Sequence, residues 1–211
     1  MTRETPAWTR RRALRRLAAL GIGAAAPPML LRAAMAADPR AGLLRAEGEV
    51  LVNGRPAHPG AAIGPGSRVE TGPGALAVFV AGGDALLLRA QSRIEIDEEH
   101  GLRVLRHARG AVLSVFGGGR RAIVTPTASI GVQDASCYLE SSPERTTFCL
   151  CRGHALVVPK ADPNRRKSLR TLHHEHPVHI ERAAGARAVV PAKFIHHSDA
   201  ELAMLEALLG R

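Results

Sequence analysis

"GEVLVNGRPAHPGAAIGPGSRVETGPGALAVFV", Gly48 to Val80, alternates short apolar runs with turn-forming pairs. Asn53-Gly54 tolerates positive φ at both positions, so the stretch predicts a strand, a tight hairpin turn and a return. Gly-Pro and Pro-Gly pairs then punctuate the chain up to Ala75, and Gly82-Gly83 separates two further apolar runs. Arg93-Ile94-Glu95-Ile96-Asp97 alternates with period two, as a half-buried strand does. "RGAVLSVFGGG", "RAIVTP", "ASCYLE", "TTFCLC" and "HALVVP" continue the series to Pro159. Strands at this spacing with no helical pattern between them predict an all-β domain, a short-strand roll or solenoid-like sandwich.

Beyond Pro159 the text changes. Residues 159–168, "PKADPNRRKS", read as a linker with nothing to bury. The extension 169–211 holds two short extended segments and then "HSDAELAMLEALLGR". Ser198 and Glu201 form a Ser-x-x-Glu capping box. Leu202, Leu205 and Leu209 recur at helical spacing, and Gly210 suits the end of a helix. The pattern predicts an amphipathic helix over 198–209 that must dock its apolar face to persist in water.

The formal charge of +10 points toward nucleic acid, but residues 1–36 carry seven of the 29 basic residues and one of the 19 acidic ones. The remainder has 22 basic and 18 acidic residues, with few aromatics and no clustered basic footprint, so no nucleic-acid partner is expected. Residues 1–36 combine "TRRRALR", a weakly apolar Ala- and Gly-rich stretch and Ala34-Met35-Ala36, a secretory pattern. The paired arginines resemble the twin-arginine export signal of bacteria, with Ala13 where that signal often has Phe. The resemblance implies export to the periplasm by the twin-arginine route. There, disulfides persist. A membrane anchor is the alternative should the leader stay uncut.

Gly48 to Gly54, Gly60 to Gly74 and Thr125 to Val132 follow in order the pattern Gly-x-Val-x-Val-Asn-Gly, Gly-x-x-Ile-x-x-Gly-x-x-Val-x-Thr-Gly-x-Gly and Thr-Pro-x-Ala-x-x-Gly-Val. In this the chain, over about 48–158, resembles the FecR domain, the periplasmic module of iron-dicitrate-type sensors, and the domain is expected to span residues 37–158. The resemblance implies a non-enzymatic module for sensing or scaffolding that binds an envelope protein or a small ligand. Where the family tends to read Arg-Gly-Thr, this chain has Gln133-Asp134-Ala135 and lacks a guanidinium that could fork onto a carboxylate.

No nucleophile–base pair or catalytic carboxylate pair can be read, which points away from an enzyme. Glu95, Asp97, Glu98 and Glu99 read as a solvated acidic turn, since no calcium-loop spacing follows. The unusual chemistry lies in Cys137, Cys149 and Cys151, all three cysteines within fifteen residues. An odd-length loop of three or five residues in "SSPER" places Cys137 opposite Cys151 or Cys149. All three thiols then share one face, whereas an even-length loop sends Cys137 to the other. Three readings stand: a disulfide from Cys137 to either partner, a metal or cofactor centre, and thiol redox chemistry. A centre for zinc, copper or iron needs a fourth ligand. His173, His174 and His197 are the leading candidates, with His154, His176, His179 and His196 also present. The alternative function is thus a metal- or haem-binding protein. No Cys-x-x-Cys-His occurs, so covalent c-type haem is excluded by pattern.

Overall fold

The computed structural model of the chain describes residues 41–174, 177–183, 188–193 and 196–211. The leader read over 1–36 and the candidate His176 lie outside the described residues. The strands are β1 (Gly42–Glu47), β2 (Val50–Val52), β3 (Arg55–Pro56), β4 (Ser67–Thr71), β5 (Leu76–Ala81), β6 (Asp84–Leu88) and β7 (Arg93–Glu99). They continue as β8 (Leu102–Val115), β9 (Arg120–Val124), β10 (Ala128–Ser141), β11 (Arg145–Pro159), β12 (Lys167–Thr171), β13 (Val178–Glu181) and β14 (Val189–Pro191). Among the described residues one helix, α1 (Asp199–Leu208), follows. The chain is all-β with a C-terminal helix, as its turn spacing predicts.

Asn53 (φ 53°) and Gly54 (φ 76°) turn β2 into β3, pairing Val52 with Arg55. Both central residues are left-handed, which matches the twist of the flanking strands.

Three strands are far longer than the expected short runs: β8, β10 and β11 have 14, 14 and 15 residues. Each changes partner along its length. The first half of β8 pairs with β7, and its second half, from Gly110, pairs with β10 and β6. The first half of β10 pairs with β9 and its second half with β8. The switches coincide with glycines and bulges. Gly110 has φ +84°, and a Cβ there would sit 2.5 Å from Ser92 Cα. The β10–β11 register slips between Gln133 and Cys137, opposite Gly153 at φ +99°. A bulge adds a residue to one strand, bends it and raises its twist. These bends let one sheet curl around a core that draws on strands far apart in the order, from Val50 of β2 to Ile180 of β13. The departure Gln133-Asp134-Ala135 falls on the bulge itself: Asp134 has φ 46° and accepts a hydrogen bond from Gly119 N at 3.1 Å.

The expected linker at 159–168 is a hairpin connection. It contains a single 3₁₀ turn, Pro163–Arg165, and returns the chain as β12 against β11, Gly153 opposite Thr171 through Val157 opposite Lys167. The prolines and charges that leave it nothing to bury suit a surface turn equally well. Strands β13 and β14 extend the same sheet. The acidic run of β7 is paired with arginines of β8: Arg106 bonds Asp97 at 2.9 Å and also contacts Glu99.

The sheet carries a second, smaller apolar cluster on its other face, where Val78, Val80, Leu87, Leu113, Val115 and Tyr138 meet Leu202 and Leu205 of α1. The helix begins as its sequence predicts. Ser198 Oγ accepts from Glu201 N at 3.3 Å, and the Glu201 carboxylate accepts from Ser198 N at 2.9 Å. Arg89 of the sheet surface reaches Glu201 at 2.8 Å and the His196 carbonyl at 2.7 Å, which sets the helix down at its N-terminal end.

Burial also places one titratable group inside the sheet. His107 of β8 is fully buried, 3.1 Å from Ser141 Oγ. Desolvation lowers its pKa from 6.5 to about 4. As the pH falls below about 6.5 the unfolded chain takes up a proton that the folded chain refuses until about pH 4. Stability is therefore full above that window and falls through it, by about 3 kcal/mol for a shift of this size. Urea unfolding of metal-free protein at pH 7.5 and pH 4.5 should show a drop smaller by about that amount in His107→Gln, where nothing titrates. Equal drops in the two proteins would rule the buried imidazole out as the cause.

Candidate metal centre

The geometry of the thiols turns on the β10–β11 turn. Ser141 pairs with Thr146, leaving four residues, Ser142 to Arg145, outside the register. Ser142 N donates to Arg145 O at 2.8 Å, with Pro143 and Glu144 at the tip. Ser at the first position and Pro at the second are favoured in a four-residue turn, and proline's fixed φ suits its place. The loop is even. Tyr138, not Cys137, stands opposite Cys149, and Cys137 stands opposite Leu150.

This corrects the expectation of three thiols on one face. Cys137 points into the main core beside Leu139, Phe148 and Leu150, fully buried, and burial pushes its thiol pKa up. Cys149 and Cys151 point to the other face, into the cluster beneath α1. All three thiols are free, and a bridge from Cys137 is opposed by the register.

Two histidines meet the Cys149–Cys151 pair. His174 follows β12, and its backbone N–H donates to the Cys151 carbonyl at 3.1 Å. His197 immediately precedes the N-cap Ser198 of α1, is buried, and stacks on the Tyr138 ring at 4.6 Å between centroids. One ligand atom from each of Cys149, Cys151, His174 and His197 lies within 4.8 Å of all the others. Cys151 Sγ to His197 Nε2 is 3.4 Å, and His197 Nε2 to His174 Nδ1 is 3.1 Å. A tetrahedral zinc site with Zn–S near 2.3 Å and Zn–N near 2.0–2.1 Å has edges of about 3.3–3.8 Å. Those two edges fall close to that range, and with all four donor atoms within 4.8 Å of one another the set can close on one Cys₂His₂ ion.

The surroundings favour such an ion. The hydrogen bond between the two thiols lowers the pKa of Cys149 and raises that of Cys151, and His197 and His174 reinforce the effect at Cys149. A lowered thiol pKa at Cys149 favours the thiolate, the form that binds metal. The other ring nitrogen of His174, Nε2, is 2.8 Å from Asp199 Oδ1. A carboxylate on the distal nitrogen fixes tautomer and ring orientation in metal-bound histidines. Four protein donors fill a tetrahedron and leave no open position, which suits holding an ion rather than catalysis.

The remaining candidates lie outside this set. His173 is exposed, its Nε2 3.6 Å from Asp199 Oδ2. With His174 and Asp199 it forms a second, more exposed group of possible ligands. His179 Nδ1 pairs with Thr147 Oγ1 at 3.0 Å, His196 Nδ1 with Glu140 at 2.7 Å, and His154 is exposed on β11. Sequence reasoning missed Asp199 and Tyr138. The signal for Asp199 was its place two residues after His197 in the capped first turn of a predicted helix.

Fold and site together define an all-β module with one capped helix pinned beside a four-donor thiol–imidazole cluster. No family model matches the chain, and no curated protein matches it. Two crystal structures of a candidate anti-sigma factor from Parabacteroides distasonis, at 1.65 Å and 2.50 Å resolution, are similar in fold. Their sequences are 13% and 12% identical to this one. Each superposes with a TM-score of 0.50, over 59% of this chain and 58% of that chain. The chain thus spans under two thirds of the length of those proteins, and at this identity the likeness is one of fold.

Proposed function

We propose that this chain is a non-enzymatic regulatory module, exported to the periplasm, whose ligand is a single transition-metal ion held by Cys149, Cys151, His174 and His197. Zinc(II) is the ion the donor set suits best, with copper(I) and iron(II) as competitors for thiolate ligands. The observation that carries the reading is the convergence of four ligand atoms within 4.8 Å of one another, three of their residues buried and the fourth half-buried. They come from β11, the segment after β12 and the residue before the α1 cap, which are far apart in sequence.

The sensing or scaffolding role draws support from two sources, the FecR-like order of turn motifs and the fold likeness to a candidate anti-sigma factor. In that role an envelope protein would read the state of the module. Among the described residues no helix is long and apolar enough to cross a membrane.

The test is metal analysis of the chain purified after export, followed by titration of the metal-free form. One equivalent of zinc per chain, removed by a strong chelator and restored on titration, is the expected result. A chain that leaves the cell without metal and binds neither zinc, copper(I) nor iron(II) stoichiometrically would sink the proposal.

A further inference from the structure

We infer that the metal centre is a latch for α1: when the ion is bound the helix covers the apolar face of the sheet, and when the ion leaves the helix lifts and that face is exposed. The inference rests on the metal reading above and concerns how that site is read out.

The helix is tied to the centre at two adjacent points. His197 lies one residue before the N-cap Ser198 and supplies a ligand atom. Asp199, the first residue of α1, holds His174 at 2.8 Å. Cys149 and Cys151, in contrast, belong to β11, part of the sheet itself. An ion bridging the two sets joins helix to sheet.

Apart from the ion, the helix rests on packing and on ion pairs. At ten residues α1 is shorter than an isolated helix needs to be to persist in water. Its own contacts are Leu202 and Leu205 in the apolar cluster, with Met204, Leu208 and Leu209 packed at its edge, the Arg89–Glu201 pair at its N-terminal end and an Arg152–Glu206 pair at 3.3 Å. The Arg152 pair is exposed and contributes little. Beneath the helix lie Val80, Leu87, Leu113, Val115 and Tyr138, all buried while it is docked. The main core is on the other face of the sheet and contains none of the four ligands, so it can keep its packing when the ion goes.

Hydrogen exchange on the mature chain, with zinc and with a strong chelator, tests this. The amides from Leu202 to Leu209 should exchange at least tenfold faster in chelator, while those of β8 and β10 in the main sheet keep their protection. Leu202 N is bonded to Ser198 O at 3.1 Å in the docked helix, so it reports the first turn directly. Arg152→Ala serves as the second variant. It removes an exposed ion pair of the helix and touches no ligand, so with zinc bound its helix should exchange within about twofold of the parent, and a tenfold faster exchange there would overturn the latch. Equal helix protection with and without a demonstrably bound ion overturns the latch and leaves the metal site standing. Loss of protection throughout the sheet on chelation overturns it too, because the ion would then hold the whole domain. If no ion binds at all, the metal reading itself fails.

Discussion

Cys151→Ser protein is expected to bind zinc at least a hundredfold more weakly than the parent chain, while Cys137→Ser binds it unchanged. Cys151 Sγ lies 3.4 Å from His197 Nε2, at an edge of the four-donor set. A serine hydroxyl stays protonated at neutral pH and cannot replace a thiolate donor. Structural zinc sites of four donors yield roughly 10–16 kcal/mol of apparent binding energy, so losing one thiolate removes on the order of 3 kcal/mol. That is about a hundredfold in affinity. Cys137 has the opposite profile. It is fully buried in the main core, so a hydroxyl there loses about 1–3 kcal/mol of stability without touching the ion. Competition with a chromogenic chelator reads the first quantity and urea unfolding the second. Metal loss of similar size in both variants would contradict the even-length turn that separates the thiols.

Gly110→Ala is expected to lower the melting temperature by about 6–12 °C, corresponding to about 3 kcal/mol or more in a domain of this size. Two effects add. Alanine at φ +84° pays about 1–2 kcal/mol for the left-handed conformation. Its Cβ would also sit 2.5 Å from Ser92 Cα, so the start of β7 has to move. Ser92 has little freedom to give way. Its N–H donates to Thr71 Oγ1 at 3.0 Å, and its Oγ accepts from Ala111 N at 2.8 Å. Gly54→Ala is the control, since it also has positive φ but meets nothing within 4 Å and should lose only the conformational part. Melting of the two variants within a degree or two of each other would show that the close approach at Gly110 carries no cost.

Turn chemistry and periodicity, both local, were legible from the residues. Asn53-Gly54 predicts its hairpin because only a left-handed pair closes a two-residue loop with the strand twist. Ser198 and Glu201 predict the helix start because each satisfies the other's backbone donor. The all-β class and the C-terminal helix follow from such signals. The lengths of β8, β10 and β11 do not, because a strand that changes partner at Gly110 or Gly153 looks in sequence like two short strands with a glycine between them.

The site divides the same way. The residue types and the need for a histidine from the C-terminal extension could be read from an odd count of clustered thiols. Which thiols face that histidine could not be read. It depended on one residue of loop length in "SSPER", and a slip of one residue sends a strand side chain to the opposite face. Ser142-Pro143-Glu144-Arg145 closes as an even turn, so the main core takes Cys137 and the face beneath α1 takes Cys149 and Cys151. The choice among seven histidines was likewise tertiary. His174 and His197 join the thiols because the β11–β12 hairpin and the docking of Leu202 and Leu205 carry those two, among the described histidines, to the Cys149–Cys151 face. Composition and local pattern thus determined an all-β chain with one capped helix and metal-ligating residue types. Long-range register and helix docking, which no local signal encodes, decided which four side chains meet.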